Sequence, residues 1–129
     1  DPRRTEKGVG QMNLFALVKA SPECTALIGS NPVRFFEFGQ APQLEETPYA
    51  TFQHITGTPY NNLTGPAPAD HITTQIDVWA DSSAECTAIA KAIRGAIENN
   101  CHVTSWLGTK KEGDTFRAVF TVQFIELRQ

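Results

Sequence analysis

The chain has 129 residues, 40% of them hydrophobic and 19% charged, with a formal net charge of −3 and a pI near 5.6. That length suits one domain with its own core, needing neither disulfides nor a metal to fold, and mild acidity without a dense Lys/Arg run argues against a general nucleic-acid binder. No apolar run reaches the roughly 18 residues of a membrane span, no signal peptide is visible, and three scattered cysteines, Cys24, Cys86 and Cys101, read as reduced thiols of a cytoplasmic setting rather than a disulfide framework.

Residues 1–11, DPRRTEKGVGQ, are polar and aperiodic. They read as a disordered leader or an expression remnant, or alternatively as a basic arm that orders on a partner. The apolar pattern starts after Met12, and the domain is assigned to 12–129. Leu14, Leu17 and Val18 stand at helical spacing. Ser21, Pro22 and Glu23 then form a second start signal, with an N-cap, a first-position proline and a first-turn acid, and Gly29 suits the stop. The pair fits one kinked helix or two short ones. VRFFEF (33–38), PYATFQHITG (48–57) and HITTQIDVWA (71–80) read as strands; the segment 57–70 between the last two is rich in Gly, Pro and Asn and reads as a mobile loop.

At Asp81 a strand turns directly into a helix. Ser82 and Glu85 match the S-x-x-E capping box. Ile89, Ile93 and Ile97 form an apolar stripe flanked by Cys86, Ala90 and Ala96, while Thr87, Lys91, Arg94 and Glu98 fall on the other side. CHVTSWLG (101–108) is a fourth strand, TKKEGD a turn, and TFRAVFTVQFIEL (115–127) the longest strand, with Phe116, Ala118, Phe120, Val122 and Phe124 on one face. Strands in runs rather than in alternation with helices predict an α+β fold: a largely antiparallel sheet of four to five strands with two helical segments packed on one face.

The other sheet face carries Thr51 and Gln53, then Thr73, Gln75 and Asp77, then Arg117, Thr121 and Gln123. Hydroxyls and amides dominate. A freely solvated face ordinarily holds more Lys and Glu, and interface cores are depleted of charge. Threonine also favours strands for its own sake, so the pattern fits either an interface or a wet surface.

Candidates for chemistry are weak. His54, His71, His102 and the cysteines lack metal-ligand spacing. Cys101 and His102 are neighbours in a strand, so they point to opposite faces and do not form a catalytic pair. Glu45, Glu46, Asp70 and Asp114 form no pattern, and Asp77 in mid-strand is better read as half of a structural pair. Trp79 and Trp106 fit either sheet-surface aromatics, where an exposed Trp makes a good interface anchor, or core aromatics, and core packing is the preferred reading. No phosphate loop or nucleophile elbow is present.

FALVKASPECTALIGSNPVRFFEFGQAPQLEETPYATFQHITG, the Gly/Pro segment, QIDVWADSSAECTAIAKAIRGAI and the closing FRAVFTVQFIEL together resemble the tail-completion, or tail-terminator, proteins of long-tailed bacteriophages and prophages. The likeness covers about residues 12–127 and rests on order and spacing rather than on one sharp motif. It implies an α+β virion protein without catalytic residues, cofactor or metal. It further implies a ring, commonly a hexamer, at the head-proximal end of the tail tube. Such a ring stops tube polymerisation, docks to a head-connector or stopper protein and lets genomic DNA through its lumen. Assembly would take place in the bacterial host cytoplasm, without a membrane. On that reading Thr51, Gln53, Thr73 and Gln75 of the sheet face, Tyr60, Asn61, Asn62 and Leu63 at the loop tip, and Lys110 and Lys111 are the expected contacts with neighbouring subunits, the tube or a partner ring. The alternatives are a small-molecule-binding or enzymatic α+β domain with a site near His54, Asp77 or Cys101, and another phage neck or tube protein.

Overall fold

The computed structural model describes residues 13–30, 33–37, 46–59 and 69–127. The leader, Glu45 and the segment holding Tyr60, Asn61, Asn62 and Leu63 lie outside the described residues. Two short helices come first among the described residues, α1 (Leu14–Lys19) and α2 (Pro22–Ile28). Asn13 Oδ1 accepts from the Ala16 amide at 3.0 Å, and Ser21 Oγ from the Cys24 amide at 3.3 Å, so each helix has its own N-cap. Gly29, at φ 90°, ends α2 in a conformation that side chains with a Cβ rarely adopt. The strands are β1 (Phe35–Glu37), β2 (Tyr49–Pro59), β3 (Ala69–Ala80), β4 (His102–Glu112) and β5 (Thr115–Leu127), and the long helix α3 (Ser83–Ile97) joins β3 to β4.

One sheet of order β1-β2-β3-β5-β4 results. It is mixed rather than wholly antiparallel: β1 runs parallel to β2, and the other pairs are antiparallel. Eleven residues separate Glu37 from Tyr49, more than a tight hairpin uses. The three described helices pack on the same face of the sheet. Against them lie Ala50 from β2, Ile76, Val78 and Ala80 from β3, and Ala118, Phe120 and Val122 from β5, all buried.

The α3 stripe behaves as its spacing predicts: Cys86, Ile89, Ala90, Ile93 and Ile97 are completely buried. Each isoleucine contributes about 2 kcal/mol by leaving water. The cap deviates by one residue from the expected box. Ser82 Oγ accepts from the Glu85 amide at 3.1 Å, but Glu85 reaches back to the Asp81 amide, at 3.4 Å, rather than to Ser82. Two residues assigned to the solvent side instead lie along the helix flank. Thr87 Oγ1 meets Thr109 Oγ1 of β4 at 2.8 Å, and the Arg94 guanidinium lies 5.2 Å from the Trp106 ring centre. The long Arg94 side chain reaches past the helix edge to the edge strand, whereas the short Thr87 touches β4 directly from the helix flank.

The fourth strand is longer than predicted. Gly108 reads as a stop, yet β4 continues to Glu112 through a register shift between Trp106 and Thr109. Gly108 takes φ 74° there, the bulge absorbs Leu107 and Gly108, and pairing resumes at Thr109. Lys110 and Lys111 are therefore strand residues, and the turn shrinks to Gly113 and Asp114.

Candidate assembly interface

Because Ala50, Ile76, Val78, Ala118 and Phe120 point to the helices, their odd-numbered neighbours point away. The register sets them in rows across the sheet: Tyr49, Trp79, Arg117 and Lys110; Thr51, Asp77 and Val119; Gln53, Gln75, Thr121 and Ser105. A fourth row follows a bulge after His54 and brings together Thr73, Gln123 and His102. No described helix crosses this face.

The polar groups of the face hold one another. Gln75 Nε2 donates to Asp77 Oδ1 at 2.8 Å, and Arg117 Nε donates to Asp77 Oδ2 at 2.8 Å, with Arg117 Nη2 closing on the same oxygen. Glu112 Oε2 stands 3.6 Å from Arg117 Nη1. Burial works to lower the Arg117 pKa, but the hydrogen bonds and charges of Asp77 and Glu112 outweigh it and leave the guanidinium above its ordinary value. Gln123 Nε2 donates to Thr73 Oγ1 at 3.2 Å, and Thr121 Oγ1 is shared by Thr104 at 2.8 Å and Ser105 at 2.7 Å. Among the described residues no buried side-chain nitrogen or oxygen is left without a partner.

Around this network sit apolar groups that the sequence reading placed elsewhere or passed over. Trp79 is not a core residue: it stacks on Tyr49 with ring centres 5.1 Å apart, and the Arg117 guanidinium lies 5.4 Å from its ring centre. Phe36 adjoins Tyr49 at 6.4 Å. The signal was available, since Val78 and Ala80 belong to the core and Trp79 lies between them. Trp106, in contrast, packs on Phe120 on the helix side. Leu107, carried out by the bulge, is 64% exposed. With Val119, Gly108, Lys110 and Arg117 it borders an open groove of about 320 Å³.

Of the predicted contact residues, Gln53, Thr73 and Gln75 are half-buried on this face, and Lys110 and Lys111 are exposed on β4. Thr51 points the same way but is already buried within the chain, at 5% exposure. Asp77 is the paired structural carboxylate that its position suggested.

The groups weighed for chemistry are dispersed or muted. His54 Nδ1 lies 2.6 Å from Thr74 Oγ1 on the helix side of the sheet, while His102 is exposed on β4. Burial raises the pKa of Cys24 and Cys86, and burial together with the Glu98 charge pushes Cys101 up to about 11. The Cys101 thiol donates to the Ile97 carbonyl at 3.3 Å. Such thiols are protonated at neutral pH, the wrong form for a nucleophile or a metal ligand. Among the described residues no three His, Cys, Asp or Glu side chains gather as a metal site, and no helix is long and apolar enough to cross a membrane.

Similarity to known proteins agrees with the resemblance noted in the sequence. No curated protein matches the chain. A subunit from the solved virion of a native gene transfer agent particle shares the fold, with a TM-score of 0.58 and 15% sequence identity over 89% of this chain and 92% of that one. The family profile described as tail completion protein gp17 matches residues 12–126. The chain therefore belongs to the tail completion protein gp17 family and is a structural protein of phage tails.

Proposed function

We infer that this subunit closes a ring at the head-proximal end of the tail tube, ends tube growth and offers the surface to which the head connector docks. The observation that carries the reading is the sheet face that no described helix crosses. Its one central carboxylate is neutralised by Arg117, its amides and hydroxyls bond to one another, and Trp79, Tyr49 and Leu107 supply apolar area beside them. A surface satisfied in this way loses little when water leaves it, as an interface core requires. Gln53, Thr73, Gln75 and Lys110 are its proposed contact residues, with Lys111 beside them on the β4 edge and Thr51 supporting the row beneath them. Tyr60, Asn61, Asn62 and Leu63 are proposed to meet a neighbouring subunit or the tube. Placement in a virion, association with tail-tube and head proteins and a purely non-covalent mechanism follow from the same reading, and the recurrence of the fold in a phage-like particle supports it.

The test is mass measurement of the protein alone and mixed with purified tail-tube protein, with tube growth followed by light scattering. The reading predicts that substoichiometric amounts stop elongation. Unchanged elongation, with no association at any ratio, would contradict it.

A further inference from the structure

A cyclic assembly needs two different patches on each subunit, set on opposite sides so that one meets the other on the next copy. The two edges of this sheet carry exposed side chains of opposite charge. The row Tyr49, Trp79, Arg117 and Lys110 runs from β2 to the β4 edge, and Phe36, opposite Thr51 in the next row, adjoins Tyr49. At its β4 end Lys110 and Lys111 are exposed, next to Leu107 and the open groove. Glu112 is engaged with Arg117, and Asp114 lies in the turn beyond. At the β1 end stand the exposed Glu46 and Glu37. Arg34, just ahead of β1, donates to the Glu46 carbonyl oxygen and so holds Glu46 beside this edge. The exposed Asp81 carboxylate accepts from Thr47 Oγ1 next to it, so among the described residues three carboxylates, Glu37, Glu46 and Asp81, stand on this side against the one positive charge of Arg34.

Backbone pairing is an unsuitable way to join these edges. One is a strand of only three residues, and the other is interrupted by two register shifts and carries two lysines, features that deter strand-to-strand addition. Side-chain contact is left. We propose that the β4 edge of one subunit, through Lys110, Lys111 and Leu107, meets the β1 edge of a second copy through Glu37, Glu46 and Phe36. This inference rests on the ring reading and specifies which edges close it. Opposite charges on the two edges steer a head-to-tail contact and disfavour a two-fold one, in which lysine would face lysine.

Zero-length carbodiimide coupling of the full native chain, at high concentration and again on tail tubes, tests it. The two edges of one sheet are about 19 Å apart, so a direct amide between them must join different chains. The expected products are links from Lys110 or Lys111 to Glu37 or Glu46, found by mass spectrometry of the oligomer bands. Lys110→Glu with Lys111→Glu abolishes association, Glu37→Lys with Glu46→Lys does the same, and combining all four restores it. Oligomers that form without these links and survive the charge reversals would overturn the edge pairing while leaving the ring standing. Absence of oligomers in both settings would overturn the edge pairing and the ring together.

Discussion

At the scale of the residue, the decisive pair is Asp77 and Arg117. The Asp77 side chain is 8% exposed and Arg117 33%, so the pair is only partly screened by water. Removing one partner strands the other: Asp77→Ala leaves a guanidinium and the Gln75 amide without their acceptor. Because Arg117 is a third exposed and keeps Glu112, the cost falls below that of a fully buried pair, about 2 kcal/mol, read as a lower urea midpoint. Cys101 makes a different statement. Its pKa is raised from about 9 to about 11, so the folded chain keeps a proton that the unfolded chain releases as the pH rises. This stabilisation is full below pH 9 and fades between pH 9 and 11, by roughly 1–2 kcal/mol. Urea titrations at pH 8 and pH 10.5 are expected to show the loss, and Cys101→Ser to shrink it.

At the scale of the element, α3 was the most legible part of the sequence. Its three isoleucines, its serine cap and its start at the end of a strand all follow from local rules, because a 3.6-residue period and a cap need no knowledge of distant neighbours. Gly95 is the one poor helix former in its interior. It is exposed, and a Cβ there meets nothing within 4 Å, so Gly95→Ala is expected to stabilise the fold by about 1 kcal/mol, seen as a higher melting temperature. The strands were legible in existence but not in length. Gly108 looked like an end because a bulge and a stop share the same residue preference; only pairing with β5 tells them apart. Parallel pairing of β1 was illegible for the same reason, since strand direction is decided by tertiary contacts. The candidate surface was half visible. Alternation predicted its threonines and glutamines, whereas Leu107 emerged only through the bulge, and the Lys110–Lys111 pair was read as turn rather than strand.

At the scale of the whole molecule, the described helices cover one side of the sheet, and its other side is the larger unassigned surface among the described residues. Leu107 tests whether that surface works in assembly rather than in folding. It is 64% exposed, so Leu107→Asp is expected to change stability by less than about 0.5 kcal/mol while weakening self-association and tube capping. A melting temperature that falls with the association would instead mark Leu107 as a folding residue. Location is the most direct question for the account as a whole. Tail tubes assembled with gold-labelled protein and viewed by negative-stain electron microscopy are expected to carry label at a single end, with tube growth arrested there. Label scattered along the tube walls, or tubes that remain bare, would contradict the account.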